Sequence, residues 1–349
     1  MEQGAEARGG RVSMRMIAEK AGVSLATVSY ALQGSTKVST ATRRSIERLA
    51  QELGYVSNPL IRQGMVQIRS TSERRVRSNL AYLSIEPIGE LLHHRRLLGA
   101  CRKQAQVLGY HIEAFQFGEQ ASENQRLAQI LIARGVRGLL LAPSDDVVGA
   151  FEFPWAEFAS LELGYSMGSF RHHRVSLDYW QILTESLTHL AQAGYRRIAF
   201  VGQKHGIRRT NYRYEAAYLL HRKERSFGSI LLPHWVYEHM DPCKFESWLE
   251  RARPDVIVSQ DNHLFEFLKS FNGSGRGRVD FCSLLIQEPN SALSGMLVSL
   301  DSTAETAVDF LARRVESGDW GLPAAPVCLS VASRWQTGAT LSRVISPGA

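Results

Sequence analysis

The chain has 349 residues, 44% of them hydrophobic and 21% charged, with 28 glycines and 11 prolines, a balance that excludes a mostly disordered or fibrous protein. At roughly 150 residues per domain it predicts two domains or three. The formal net charge is +7, and residues 1–79 hold 13 Lys+Arg against 6 Asp+Glu, so the whole excess sits on the first fifth of the sequence.

A small basic module on a neutral body is the electrostatic footprint of a polyanion binder. The N-terminal stretch "MEQGAEARGGRVSM" has no apolar core after its charges, so residues 1–12 read as a flexible tail and not as a secretory signal. The best apolar run, "ILIARGVRGLLLA", carries Arg134 and Arg137 and falls short of the ~18 residues that span a bilayer. No membrane is expected, and the location expected is cytoplasmic. Cys101, Cys243, Cys282 and Cys328 lie far apart with no CxxC pair, which predicts buried reduced thiols and neither disulfides nor a zinc site.

From Ser13 to Tyr55 the pattern predicts three short helices. Ser13 can cap "MRMIAEKA", Ser24 can cap "LATVSYALQ" and Ser39 can cap "TATRRSIERLAQEL"; Gly22, Gly34 and Gly54 follow as stops. Apolar residues recur at helical spacing at Ile17 and Ala21, at Val28 and Leu32, and at Ile46, Leu49 and Leu53. The link "GVS" between the first two helices forces a tight helix-turn-helix, with Val23 plugging a small core. Such a pair suits DNA, one helix bracing across the backbone while the next enters the major groove.

The stretch "MIAEKAGVSLATVSYALQGSTKVSTATRRSIERLAQELGYVSNPL" closely resembles the headpiece of the LacI/GalR family of bacterial transcription regulators. The resemblance rests on Ala18, Ala21-Gly22-Val23-Ser24, Thr27-Val28-Ser29, Val38-Ser39, Thr42-Arg43, Leu53-Gly54-Tyr55 and Asn58. It implies that the second helix reads bases through Leu25, Ala26 and Tyr30. Thr27 and Ser29 would bond phosphates, and Ser24 would offer one its helix N-terminus. Arg15, Arg43 and Arg44 would add phosphate contacts. Where the family often has Arg, suited to bidentate guanine contact, this chain has Tyr30, so its preference at that base should differ.

Residues 58–79 read as a hinge helix and basic linker. Asn58 and Pro59 make a strong helix start, yet a helix this short is marginal in water. The resemblance implies that paired hinges wedge apolar side chains into the minor groove at the operator centre. Gly64 stands where the family usually has a leucine wedge. Met65, or Leu60 with Ile61, would substitute, or the operator is bent less.

From Leu80 short apolar runs alternate with helix-length segments, the pattern of parallel sheets wrapped by helices. Expected strands are "LAYLSI", "HIEAFQF", "GLLLA", "FASLEL", "RIAFVG", "GSILLP", "DVIVS", "DFCSLL" and "GMLVSL"; expected helices fall at 91–108, 122–134, 180–193, 241–252, 262–271 and 303–317. The fold class expected is a small all-α helix-turn-helix domain (13–57) plus a two-lobed α/β core (80–349), with a lobe break near "FASLEL…RHHRVSLDY". The core resembles the family's periplasmic-binding-protein-like body, with a cleft between lobes for a small-molecule effector such as a carbohydrate. Strand ends and family position nominate Asp261, Arg213, Glu162 and Glu86, with Tyr212, Tyr214 and Tyr218 as nearby aromatics.

Rival readings are weaker. Gly164-Tyr165-Ser166-Met167-Gly168 is a GxSxG as in a hydrolase, but "SFRHHRVS" follows it and not a helix. "GSGRGR" at 273–278 follows a helix and reads as a loop, and His93-His94 and His172-His173 lack metal-site spacing and read as surface residues. A ligand binder without a DNA role leaves the headpiece unexplained, and a histone-like binder leaves the large body unexplained. The expected protein is thus no enzyme, with no cofactor and no metal. It would be a homodimeric repressor on a pseudo-palindromic double-stranded operator, with no heptad tail after "GATL" to join two dimers.

Overall fold

Three helices build the N-terminal unit: α1 (Met14–Ala21), α2 (Leu25–Leu32) and α3 (Thr40–Glu52). Ser24 Oγ accepts the Thr27 N–H at 3.1 Å, and Ser39 Oγ accepts the Thr42 N–H at 3.2 Å, so both expected caps form. Gly22 stops α1 at φ +65°, a backbone that L side chains resist, and the Val23 N–H then donates back to Ala18 O at 3.1 Å. Ile17, Val28, Ala31 and Ile46 are buried together, and Val23 packs against them from the turn. The structure is a computed structural model that describes residues 14–32, 38–53, 79–87, 92–144, 147, 152–168, 171–273 and 278–343. The caps read at Ser13, Gly34 and Gly54 lie outside these. The chain divides into two units, Met1–Arg75 and Val76–Ala349.

The second unit holds two lobes. In chain order it runs β1 (Asn79–Ser84), α4 (Leu92–Val107), β2 (His111–Gln116), α5 (Ala121–Ala133), β3 (Val136–Leu141), β4 (Ala159–Leu163) and β5 (His173–Leu177). There follow α6 (Tyr179–Gln192), β6 (Arg197–Gln203), α7 (Lys204–Arg209), α8 (Arg213–Glu224), β7 (Ile230–Leu231), β8 (Trp235–Tyr237), α9 (Pro242–Ala252) and β9 (Val256–Ser259). The last elements are α10 (His263–Gly273), β10 (Asp280–Ile286), β11 (Ser294–Leu297), α11 (Leu300–Ser317), β12 (Cys328–Val331) and β13 (Arg334–Gln336).

The first sheet has the order β12-β5-β4-β3-β1-β2 and is parallel throughout. The second has the order β13-β11-β10-β9-β6-β7, with β8 also on β6 and only β13 antiparallel. Parallel strands need helical crossovers, and the helices bury both faces. Leu80 and Tyr82 face α4 and α11, whereas Ala81 and Leu83 face α5. In the second lobe Ile198 and Phe200 pack under α6 and α8, while Ala199 and Val201 pack under α9 and α10. That alternation is the period-2 geometry of a strand. Gly138 lets α11 lie on β3: a Cβ there would fall 2.6 Å from Leu80 Cδ2 and 2.8 Å from Val315 Cγ2.

The two-lobed fold agrees with the sequence reading, but the lobes are not successive halves. The chain crosses after β5, returns after β11 to place α11 and β12 on the first lobe, and crosses again to β13. Periodicity missed β5, β8, β12 and β13, all short, and α7 and α8. "GSILLP" contributes only Ile230 and Leu231.

Two expectations fail in detail. Cys243 and Cys328 are exposed, one in the first turn of α9 and the other on the edge strand β12; Cys101 and Cys282 are buried. His94, His172 and His173 are buried and not on the surface. A neutral imidazole can satisfy itself inside the fold: His172 Nδ1 pairs with Ser160 Oγ at 2.8 Å, and His173 Nδ1 accepts the Val327 N–H at 3.0 Å. The side chain of His93 lies outside the described residues.

Burial, helped by Arg171 and Arg174, pushes His172 down from 6.5 to about 4. Between those values the unfolded chain binds the proton and the folded chain does not. Its contribution is therefore complete above pH 6.5 and is lost as pH falls toward 4, at most ~1.4 kcal/mol per pH unit. In urea titrations from pH 7 to pH 4.5 the stability gap between the parent and His172→Gln should narrow; a constant gap would refute this account.

Candidate functional site

In the headpiece the capping pair at the start of α2 is closed twice, because Ser24 Oγ also lies 2.8 Å from Thr27 Oγ1. Both hydroxyls thus sit beside the helix N-terminus, where backbone N–H groups and the helix dipole favour an anion. Tyr30 is exposed on the same helix, two residues past buried Val28. Leu25, Ala26 and Ser29 lie on α2, with side chains outside the described ones, as is that of Arg15. On α3 Arg44 is exposed, and Arg43 Nε lies 4.0 Å from Glu47 Oε1. Asn58, Leu60, Ile61, Gly64 and Met65 lie outside the described residues.

In the second unit a cavity of about 250 Å³ opens between the lobes, at the C-terminal ends of β4, β5, β6, β9 and β10. This is where open α/β lobes present loops to a ligand. The first lobe lines it with Leu163, Tyr165, Ser166 and Val175; the second supplies Gln203, Arg209, Gln260, Asp261 and Gln287. Tyr179 and Val298 line it from the crossovers. One wall is largely apolar and aromatic, and the opposite wall is rich in hydrogen-bonding groups.

Of the four residues nominated from sequence, only Asp261 reaches the cavity. Its Oδ2 accepts the Tyr237 hydroxyl and its Oδ1 accepts the His263 N–H at 3.0 Å, so it also starts α10. Next to it, Gln260 has a buried amide whose nitrogen and oxygen lack a partner among the described residues. A Cβ on Gly206 would come within 2.3 Å of Gln260 Nε2, so that glycine makes room for the amide.

Glu162 lies behind the wall and not in it. It is fully buried, accepts Arg174 Nε at 3.1 Å and Nη2 as well, and accepts the Met167 N–H at 2.8 Å. Burial raises its carboxyl, opposed by the Arg174 guanidinium and the Met167 N–H. Its function is to shape the turn that carries Tyr165 and Ser166. Glu86 accepts the Ser144 hydroxyl and does not line the cavity.

Arg213 also stands off the cavity, with its guanidinium 4.4 Å from the Tyr165 ring centre; the arginine on the wall is Arg209, at the end of α7. The sequence pattern does not announce that short helix, whose last residue stands four positions before Arg213. Of the three tyrosines expected, Tyr214 lines the cavity, Tyr218 is buried with its hydroxyl on backbone carbonyls, and Tyr212 is half exposed. The cavity's other aromatics, Tyr165 and Tyr179, gave no signal because they flank β5, which sequence reading took for a connection.

The GxSxG does not form a nucleophile elbow. β4 leads through a turn toward β5 and into no helix, and Ser166 Oγ accepts the Ser144 N–H at 2.8 Å. Among the described residues no three His, Cys, Asp or Glu are grouped to hold a metal ion, and no helix is long and apolar enough to cross a membrane.

Residues 13–58 match the family model described as "Bacterial regulatory proteins, lacI family". The HTH-type transcriptional regulator CelR of Thermobifida fusca is 33% identical over 139 residues, which cover 38% of this chain and 37% of that one. The chain thus aligns with little more than a third of that relative's length. A solved structure of a CelR–cellobiose complex superposes with a TM-score of 0.55 at 19% identity, over 95% of this chain and 100% of the other. The lac repressor dimer bound to operator and the anti-inducer ONPF gives 0.55 at 16%, over 95% and 99%.

Residues 13–58 are thus a lacI-family headpiece, and the fold of the whole chain is that of these regulators. Within this fold, the buried Arg174–Glu162 pair sets the cavity wall, since Arg174 also stacks 4.4 Å from the Tyr165 ring centre. Arg174→Met leaves a carboxylate buried without its partner and should cost about 3–5 kcal/mol. Arg174→Met with Glu162→Met together should cost less than Arg174→Met alone, as read by denaturant unfolding; equal costs would show that the pair is not what Arg174 contributes.

Proposed function

We propose that this protein is a sequence-specific transcription repressor that binds a pseudo-palindromic operator as a homodimer and answers to a small molecule in the interlobe cavity. The observation that carries the reading is the capped helix α2, with its anion-ready N-terminus and exposed Tyr30, on a chain whose excess positive charge lies within residues 1–79. Each headpiece would read one half-site, two-fold symmetry of protein matching that of DNA. Ser24, Thr27 and Ser29, with Arg15, Arg43 and Arg44, would hold phosphates; Leu25, Ala26 and Tyr30 would meet base edges. Asn58, Leu60, Ile61 and Met65 belong to the proposed hinge (58–79), between a headpiece at 13–57 and a core at 80–349.

The effector reading is supported by the cavity's place at the strand ends and by its mixed walls, aromatic on one side and amide-rich on the other. A sugar ring suits such walls, apolar face on Tyr165 and hydroxyls toward Gln203, Gln260 and Asp261. A ligand shifts the lobes only by the difference in its affinity for their two arrangements.

Selection and sequencing of DNA bound at about 0.15 M salt tests the DNA reading, since lower salt inflates nonspecific binding. An inverted repeat is expected; bound DNA without a recoverable motif would refute sequence-specific recognition. Affinity for the selected site should fall with salt at about 0.9 log units per phosphate neutralised, per log unit of salt. Tyr30→Ala should change base preference at one position of each half-site, with the fold intact by circular dichroism. Unchanged selection at every position would remove Tyr30 from the readers.

A further inference from the structure

Two contacts bridge the lobes beside the cavity, and neither belongs to its polar wall. On one flank Arg96 of α4, next to Leu97 on the cavity wall, donates through Nη2 to Glu288, next to Gln287 on the opposite wall. On the other flank Arg213, the first residue of α8 in the second lobe, sets its guanidinium over the ring of Tyr165 in the first lobe. The same ring takes the guanidinium of buried Arg174, whose partner Glu162 fixes the turn carrying Tyr165. Tyr165 therefore cannot follow the second lobe when the lobes part: its own lobe holds it.

We infer that these contacts form a two-point clasp that holds the cleft closed, and that Tyr165, as both cavity wall and clasp, is where an occupant acts on it. The two points differ in physics. Glu288 is exposed and Arg96 is part-exposed, so salt screens this pair. The Arg213 contact lies against a ring and responds less to salt. The regulatory meaning of the clasp rests on the cavity being the effector site; the clasp itself does not.

The test reads lobe separation directly, with neither DNA nor effector present. Spin labels go on Ser247→Cys of α9 and Glu305→Cys of α11, exposed positions on different lobes. Cys243→Ser and Cys328→Ser remove the exposed native thiols, and Cys101 and Cys282 are buried. Labelled full-length chain is diluted in unlabelled chain, and distances are measured by electron double resonance.

The background protein should give one dominant short distance. Arg213→Met should raise the longer-distance population about two- to fivefold, the range expected for an exposed cation–π contact. Tyr165→Leu should reproduce it, and Tyr165→Phe, which keeps the ring, should not. Glu288→Gln should raise it as well and should abolish the extra opening caused by 1 M salt. Distance distributions unchanged from the background protein in both Arg213→Met and Glu288→Gln, each of which should unfold cooperatively, would overturn the clasp. Opening in Tyr165→Phe equal to that in Tyr165→Leu would overturn the role of the ring.

Discussion

The body of this protein depends on one constraint of backbone geometry: both sheets are parallel but for the edge strand β13, and the chain threads between them three times. A parallel strand must be followed by a crossover, and its C-terminal end faces a loop. Because the crossings leave β5 and β11 and then β12, the strand ends of both lobes converge on one gap. The crossings are themselves tied. The Asp178 N–H donates to Val331 O at 3.1 Å, joining the first passage to the third, and Asp178 Oδ1 then accepts the Gln181 N–H at 3.0 Å to start α6. Ser299 performs the same capping role for α11, accepting the Ser302 N–H at 3.0 Å. The cavity is thus bounded by backbone that carries the waist, and its walls inherit the position of that waist.

Within this frame the charged groups near the cleft take unequal parts. Glu162 and Arg174 are removed from water, an arrangement that is rarely a net source of stability because desolvation opposes the Coulomb attraction. Its return is positional. The pair fixes the Met167 backbone and the plane of Tyr165, and so converts a flexible turn into a wall. Asp261 stays on the wall but shares its oxygens with Tyr237 and the α10 N-terminus. Gln260 is the opposite case, a buried amide with no partner among the described residues, held against Gly206. Such a group carries a desolvation cost that a partner would relieve.

Legibility in the sequence followed the length and separation of each signal. The headpiece helices were readable because caps at Ser24 and Ser39, the stop at Gly22 and apolar spacing all agree locally. Helices α4, α5, α6, α9, α10 and α11 were readable for the same reason, each spanning at least three turns. The misses are short or long-range. β5 is a five-residue strand rich in His, Arg and Ser, paired to β12, a strand more than 150 residues later; no local pattern encodes that pairing. Helix α8 follows Asn211 and Tyr212, both with positive φ, a conformation the sequence "TNYRY" does not announce. Two of the nominated residues that stand off the cavity depend on these elements: Arg213 follows α7, whose Arg209 lines the wall instead, and Glu162 pairs with Arg174 of β5. Asp261 lines the cavity because it directly follows β9, whose apolar run is plain in the sequence.

The edge strand β12 has a consequence for how the protein is made. Its partner β5 ends at Leu177, and β12 begins at Cys328, after the whole second lobe has been synthesised. At ~5–20 residues per second the ribosome needs roughly 8–30 s to cover that distance. Helix α11, which covers one face of the first sheet, emerges late in the same interval. During it the first lobe presents an open strand edge at β5 and a bare apolar face, both invitations to wrong pairing. The fold that gives the molecule its shared cleft therefore leaves its first half unfinished until the last stretch of chain arrives, so completion of the first lobe comes after, and not before, the second.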